Sequence, residues 1–560
     1  MFIPVSREEL VELGWDSLDV ILVTGDVYID SPFDGTAVIG KVLIDAGYRV
    51  GIISQPDINS DSDIKKFGEP NLFWGVSAGC VDSMVANYTA LMKKKKKDDL
   101  TPGGLNNRRP DRAVITYVNL IKKYFKSSKP IIIGGIEASL RRIAHYDYWS
   151  DSIRHSVLFD SKADLLVYGM AERTILELAE ALKNNSDYEN IRGICFASIN
   201  KKDGYIELPT YNDVKNDKLK FIEMFNIFYK NNDPINANGL YQKQDARYLI
   251  QNPPNYYLSQ NELDKIYALG FERRVHPYYE KLGKIPALET IQFSIISHQG
   301  CFADCNFCSI ALHQGRKVRS RSEASILSEA QEITMHNNFK GYITDIGGPT
   351  ANMWGMDCKI QGNKGSCKFK KCTNPKLCER MNISHDKQIN LLSKIRNIKG
   401  IKKVFIGSGI RYDLILEDKE SGEKYLQDVI NHHVSGQMKI APEHTEESVL
   451  KLMGKTSAKS LRKFKGEFYF INKKLSKKQF LTYYFIAAHP GCEMKDMFKM
   501  KEFINKELKI NPEQVQIFTP APSTYSTLMY YTGINPYNNE KVFVEKDLKK
   551  KKLQKKTITG

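Results

Sequence analysis

From residue 19 onward the chain alternates short β-branched runs with stretches of helical periodicity, a pattern that fits strand–crossover–strand units and few other arrangements. The first strand candidates are 20–24, 50–54, 72–76, 131–133, 165–168 and 194–197. Several run into glycine-containing turns, among them Gly25-Asp26, Gly134-Gly135 and Gly169. In an open α/β sheet ligands dock beyond the carboxyl ends of the strands, where these turns lie. Taken singly, each glycine is better explained by a tight strand-to-helix turn. Residues 1–200 are therefore expected to form an N-terminal α/β domain on an open parallel sheet. The pattern weakens over 201–285, where Asn-Asn-Asp-Pro at 231–234 and Asn-Pro-Pro at 252–254 mark turns, so this stretch is read as a connector. A second α/β region, 286–531, carries candidates at 291–296, 341–346, 403–406, 437–440, 482–487 and 515–518. Six strands separated by helical stretches predict a partial (β/α)6 barrel whose chemistry sits at the strand carboxyl ends.

Composition narrows the class. With 42% hydrophobic and 26% charged residues over 560 positions, the chain is globular and long enough for two or three domains. Its first twenty residues lack a basic stretch followed by an apolar one, and no segment approaches 18 uninterrupted apolar residues. Neither secretion nor membrane crossing is expected, and the cytoplasm is the expected location. Ten cysteines in that setting point to ligation or redox chemistry rather than disulfides. The formal charge of +17 raises the question of a nucleic-acid partner. Residues 541–560 hold eight lysines against Glu545 and Asp547, a net of +6 that leaves +11 for the rest. A basic C-terminal tail, 532–560, is read as a solvated end, which leaves RNA binding with weak support.

Seven of the ten cysteines fall between 301 and 378, a density that needs a chemical reason. Cys301, Cys305 and Cys308 have the spacing C-x3-C-x2-C directly after the strand candidate 291–296. Three thiolates on a short loop at a strand end suit one face of a 4Fe-4S cluster, thiolate being the soft ligand that iron–sulfur clusters take. Three ligands for four irons leave one iron open to chelate the amino and carboxylate groups of S-adenosylmethionine (SAM), whose carbon–sulfur bond an electron from the cluster can break. The rival readings are zinc, with His313 as fourth ligand, and a loop of unrelated buried thiols. Cys358, Cys367, Cys372 and Cys378 lie in a segment, 355–380, rich in Lys, Gly and Asn and poor in apolar residues. Such a segment cannot build its own core, and four thiolates suffice for a second iron–sulfur cluster or a zinc ion; free or partly paired thiols are the alternative. Cys80, Cys195 and Cys492 are isolated and read as small buried residues.

These strings resemble the radical SAM superfamily and, more narrowly, its YgiQ-type family. The resemblance spans nearly the whole chain. It rests on Gly135-Ile-Glu-Ala-Ser-Leu-Arg-Arg142 running into His145-Tyr-Asp-Tyr-Trp-Ser150, on Cys301 to Cys308 with His313-Gln-Gly315 and Ser320-Arg-Ser322, and on Asp345-Ile-Gly-Gly-Pro-Thr-Ala-Asn352. It implies a barrel that binds SAM, with Gly347 and Gly348 as the glycine motif whose bare backbone receives the methionyl amino group. It also implies Ser408 and Arg411, after the candidate 403–406, as contacts to ribose or carboxylate, although Arg411 could equally pair with Asp413. The reaction expected is reductive cleavage of SAM to a 5'-deoxyadenosyl radical acting on a substrate the sequence does not name, with electrons from a donor such as flavodoxin or ferredoxin. Glu443 with His444, and His489 before Pro490-Gly491, follow later strand candidates; they could position substrate or shuttle protons, or simply satisfy loop carbonyls. The N-terminal domain resembles cobalamin-binding-like domains but has no Asp-x-His-x-x-Gly, which weighs against cobalamin without excluding it. Two rival functions stand beside the main one: a methyl- or methylthiotransferase with an auxiliary cluster or cobalamin, and a non-catalytic iron–sulfur or RNA-binding protein.

Overall fold

The structure is a computed structural model that describes residues 1–559, and it divides into two compact units, Met1–Leu258 with Lys265–Gln292 and Ser259–Asp264 with Phe293–Gly560.

The first unit is built on a nine-stranded sheet. Its strands are β1 (Val20–Thr24), β2 (Val50–Ser54), β3 (Phe73–Ser77), β4 (Ile131–Gly134), β5 (Leu165–Val167), β6 (Ile194–Ser198), β7 (Ile206–Leu208), β8 (Leu240–Gln244) and β9 (Arg247–Gln251), in the order β7-β8-β9-β6-β5-β4-β3-β1-β2. From β5 to β2 the pairing is parallel throughout. All five side chains of β1 and of β2 are buried, as continuous apolar runs covered on both faces should be. All six early candidates lie in this sheet.

The expected open parallel sheet is present, and one flank adds antiparallel pairing, with β6 antiparallel to β5 and β9 to β6. One expectation needs correction. Residues 201–285 are not a spacer: β7, β8 and β9 complete the sheet, and Arg142 shows why they must. This guanidinium is fully buried and donates to Gln251 Oε1 at 3.1 Å, Asn232 Oδ1 at 2.6 Å and Ser139 O at 2.6 Å. A buried cation needs its donors matched, and two of the matching groups come from beyond residue 200.

The second unit contains the six expected barrel strands: β10 (Ser294–Ile296), the broken pair β11 (Tyr342–Ile343) and β12 (Asp345–Gly347), β13 (Lys403–Val404), β14 (Gln437–Glu443), β15 (Phe480–Ala487) and β16 (Gln514–Ile517). Consecutive strands pair in parallel, with an Ile410–Ile440 bridge joining the end of the third to the fourth. Helices α1 (Glu323–Thr334), α2 (Asp386–Arg396) and α3 (Ala458–Lys474) supply Ile326, Leu392 and Phe464 to one apolar core. The segment expected to be a free basic tail ends in helix α4 (Leu548–Thr559), with Lys551, Gln554 and Ile558 fully buried. Lys551 Nζ donates to Tyr530 Oη at 2.8 Å, so one of the eight lysines serves the core. No helix among the described residues is long and apolar enough to cross a membrane.

Candidate functional site

The three closely spaced cysteines lie on a loop that leaves the end of β10. Ser297 closes the strand, its backbone N–H and its hydroxyl both donating to Gly347 O, at 2.7 and 3.0 Å. With the hydroxyl hydrogen spent there, the 3.0 Å contact of Ser297 Oγ with His298 Nδ1 makes the ring nitrogen the donor. His298 is therefore left with Nε2 as a bare acceptor, fully buried and without a hydrogen-bond partner. Burial pulls its pKa down to about 3, so the ring is neutral. It lies on Gly348, where a Cβ would stand 2.5 Å from His298 O and 2.8 Å from Nε2. Only glycine fits beneath that ring.

Backbone anchors define the loop itself. Gly300 has a φ of 81°, and a Cβ there would stand 2.1 Å from Lys317 O. Gly300 N donates to Gln314 Oε1 at 3.0 Å and Cys301 N to Gly315 O at 3.1 Å, so the short helix Ile310–Gln314 turns back to hold the start of the loop. Asn306 holds its middle: its N–H donates to Met453 O at 2.9 Å, its Nδ2 to Leu452 O at 2.7 Å, and its Oδ1 accepts from Tyr537 Oη at 3.0 Å. All three thiols are free and half-buried. Burial pushes Cys301 up to about 11 and Cys308 up to about 12, with the neighbouring Cys305 adding to both shifts.

Arg411 faces this loop. Its guanidinium is clamped on Asp413, with Nε donating to Oδ1 at 2.9 Å, and its Nη1 reaches Cys305 Sγ at 3.6 Å. Burial alone would lower the arginine pKa; Asp413 and Cys305 hold it above its ordinary value. The structure thus places Arg411 in the Asp413 pair and against a cysteine. The Ser408 hydroxyl donates to Asp345 Oδ2, and the Gly407 and Ser408 N–H groups donate to Asp345 Oδ1 at 2.8 and 3.0 Å. Asp345 thereby fastens the end of the third strand to that of the second. Gly347 sits between these groups, 3.3 Å from Ser408 Oγ at the position a Cβ would take.

The later candidates divide. Glu443 ends β14 at a register shift with a φ of 69°, a strained backbone for a residue with a side chain. Burial pushes its carboxyl up, opposed by Lys455 and Arg411, and its charge is felt at Cys308. His444 and His489 are instead satisfied core residues. His444 Nδ1 accepts from Glu446 N at 3.0 Å and its Nε2 contacts Cys492 Sγ at 3.5 Å; His489 contacts Pro490 O at 2.8 Å and Ser526 Oγ at 2.6 Å. Burial brings each to about 3. Of the isolated cysteines, Cys195 and Cys492 are buried as expected, whereas Cys80 is exposed at a turn.

The second cysteine set lies beside the first. Cys358, Cys372 and Cys378 pack on the same apolar patch as Cys301 and Cys305, formed by Phe302, Ala303, Met353, Met356, Met381 and Leu414. No three His, Cys, Asp or Glu side chains among the described residues converge on a position for a single metal ion. The roles of His298 and Asn306 escape sequence reasoning, and Asp345 enters it only as part of a motif, since an orphaned acceptor and a loop anchor exist only once strands meet. The polar Ser297-His298 directly after an apolar strand was the one available signal.

Comparison with known proteins now becomes informative. Residues 2–294 match the family described as Radical SAM N-terminal, and residues 513–559 match a domain of unknown function, DUF3362. A UPF0313 protein of Fusobacterium nucleatum is 54% identical over 559 residues, covering 100% of this chain and 98% of that protein. A Thermotoga maritima UPF0313 protein is 47% identical over 561 residues, with 100% and 98% covered. Among solved structures, the radical S-adenosylmethionine methyltransferase TsrM of Kitasatospora setae, with cobalamin and a [4Fe-4S] cluster bound, aligns with a TM-score of 0.53 at 13% identity, over 92% of this chain and 74% of that one. At that identity the likeness is one of fold.

Proposed function

This chain belongs to the UPF0313 family of the radical SAM superfamily, and from that premise we propose that Cys301, Cys305 and Cys308 hold a 4Fe-4S cluster at which SAM is cleaved reductively. When bound, the cluster supplies the electron that splits the sulfonium bond and so generates a 5'-deoxyadenosyl radical for hydrogen abstraction. The observation that carries this reading is the loop: three free thiols at the end of the first barrel strand, on a backbone already fixed by Gly300 and Asn306.

The surrounding residues fit the two groups. Arg411 offers a cation and a donor to the Cys305 sulfur, the kind of contact that offsets thiolate charge and tunes an iron–sulfur site. The orphaned Nε2 of His298 is an acceptor without a donor, directly over Gly348, and an amine N–H of the methionyl group would satisfy it. Gly348 lets the backbone run close beneath His298 and Gly347 lets it pass Ser408, whose turn Asp345 keeps in place. Glu443, held uncharged more readily than an ordinary carboxyl, lies near enough for its charge to be felt at Cys308. Electrons would come from a one-electron carrier of the flavodoxin or ferredoxin type.

Anaerobically reconstituted protein should release 5'-deoxyadenosine from SAM with dithionite, and a Cys305→Ala variant should not. Retained cleavage in that variant would sink the assignment. A second reading, methyl transfer with a corrinoid, is favoured by the likeness in fold to a cobalamin-binding methyltransferase. Cobalt retained after reconstitution with hydroxocobalamin would support it; cobalt-free protein that still cleaves SAM would remove it. RNA binding draws only on the exposed lysines of α4.

A further inference from the structure

The Cys-rich segment 355–380 has almost no secondary structure, its elements being the two-residue strand Asp357–Cys358 and the one-turn helix Gln361–Lys364. Its apolar side chains are few, and one of them, Phe369, is 83% exposed. Such a segment has too little apolar surface to offset the entropy of ordering it. Yet it is held to the first cysteine loop at several points. Arg316 donates to Cys367 O at 2.8 Å and Lys370 O at 2.9 Å while pairing with Asp304 at 3.3 Å. Lys371 Nζ donates to Asp304 O and, at 2.5 Å, to Asn306 Oδ1, and Cys378 N donates to Cys372 O at 2.9 Å.

The four thiols are unpaired and half-buried, and three of them share one apolar patch with Cys301 and Cys305. Cys358 and Cys367 both lie near the Cys372 thiol. Four thiols can ligate either a four-iron cubane or zinc, and the packing of three of them beside Cys301 and Cys305 favours the cubane, which can exchange electrons with that loop as zinc cannot. The segment is also cationic, with six lysines and Arg380 against Asp357 and Glu379 over 357–380. Cations around an all-thiolate cluster offset its negative charge, and net charge is one of the factors that set its potential.

We propose that Cys358, Cys367, Cys372 and Cys378 ligate a second four-iron cluster that delivers electrons to the cysteine loop at 301–308. All four irons of this cluster carry a protein thiolate, so it has no open site for SAM. Its role is one-electron relay: it takes one electron from a reduced acidic carrier protein and passes one to the first cluster, and the carrier is left oxidised by one electron. The site itself stands independently, whereas the relay rests on the proposed function of the first set.

Iron and zinc analysis of the full chain, reconstituted anaerobically, tests the site without any substitution. About eight irons per chain, with Mössbauer spectra of four-iron cubanes only, are expected. About four irons, or one tightly held zinc per chain, would overturn it. A Cys372→Ser variant should keep about four irons and the SAM-induced change in the electron paramagnetic resonance signal. A Cys305→Ser variant should keep about four irons and lose that change. If wild type holds eight irons but shows no SAM response, the first reading fails and the second site stands. For the relay, reduction of the SAM-responsive cluster by flavodoxin should slow at least tenfold in Cys372→Ser, with dithionite reduction unchanged; equal flavodoxin rates would overturn it.

Discussion

The two cysteine segments solve the same problem in opposite ways. The loop at 301–308 is fixed by its neighbours: a strand end, Gly300 under Lys317 O, and an asparagine tied into three parts of the barrel unit. Its thiols are functional additions to a backbone that other bonds determine. The segment 355–380 has one-turn elements and cationic side chains, and on the proposed reading its thiols and the cluster they ligate act as its core. A preformed loop suits a site where an open iron must meet a ligand from one direction; a segment organised around its ligand suits a closed site.

The largest effect that separates them comes from removing one thiol from each. Cys305→Ala should abolish 5'-deoxyadenosine release while amide exchange across 300–308 stays as slow as in wild type. Cys372→Ala should leave 355–380 open to limited proteolysis, cleaved many-fold faster than in wild type. If both variants expose their segments equally, the contrast is wrong.

Acid should act on the barrel seat behind the first loop, because three histidines buried there are neutral. His298, His444 and His489 each have a pKa near 3 in the folded chain against an ordinary 6.5, so below pH 6.5 the unfolded chain binds more protons. Their contribution to stability is complete above pH 6.5 and falls as the pH drops towards 3, by up to about 1.4 kcal/mol per pH unit for each. Asp34 in the first unit, held up to about 7 by burial, acts in the opposite direction on the whole chain, so amide exchange of the barrel unit is the measure: its protection at pH 5 should fall by a few kcal/mol from that at pH 7, and unchanged protection would contradict the buried neutral state. The segment 355–380 contains no histidine and adds nothing to this slope.

A smaller effect tests the anchor. Asn306→Ala removes acceptors from Lys371 and Tyr537 and the donor to Leu452 O, all in one step. Loss of such a buried hub should cost about 2 kcal/mol, so that iron is stripped by a chelator roughly 30-fold faster. Because Lys371 is a latch to the second segment, both segments should loosen together; stripping confined to four irons would show that the two are held separately.

What the sequence reveals follows the same division between local and tertiary causes. The runs 20–24, 50–54 and 131–133 are legible as strands because buried parallel strands are continuously apolar. Leu240–Gln244, reading Leu-Tyr-Gln-Lys-Gln, is not, since Gln242 is buried by bonds to Pro209 O and from Ala144 N and Gln244 by a bond from Ser156 N, distant groups rather than their own character. The C-terminal lysines look solvated because nothing local announces that Lys551 will lie over Tyr530. Cysteine spacing is local, and so both sets are visible in the sequence. Their difference in support is not, because Asn306 and Arg316 act on residues far away in the chain.

His298 provides the finest test of the comparison, since it asks whether the first loop is preformed for a ligand as well as for a cluster. Its Nδ1 is committed to Ser297, whose own hydrogen goes to Gly347, so the Nε2 lone pair is set before any ligand arrives. His298→Phe keeps the ring on Gly348 and removes the acceptor. One neutral hydrogen bond is worth about 1–1.5 kcal/mol, so equilibrium binding of SAM to reconstituted protein should weaken about tenfold with iron content unchanged. A SAM analogue lacking the α-amino group should bind both proteins alike, because the bond in question has already been removed from the ligand. Equal losses for SAM and the analogue would make His298 a packing residue only, and the loop would then be preformed for its cluster alone.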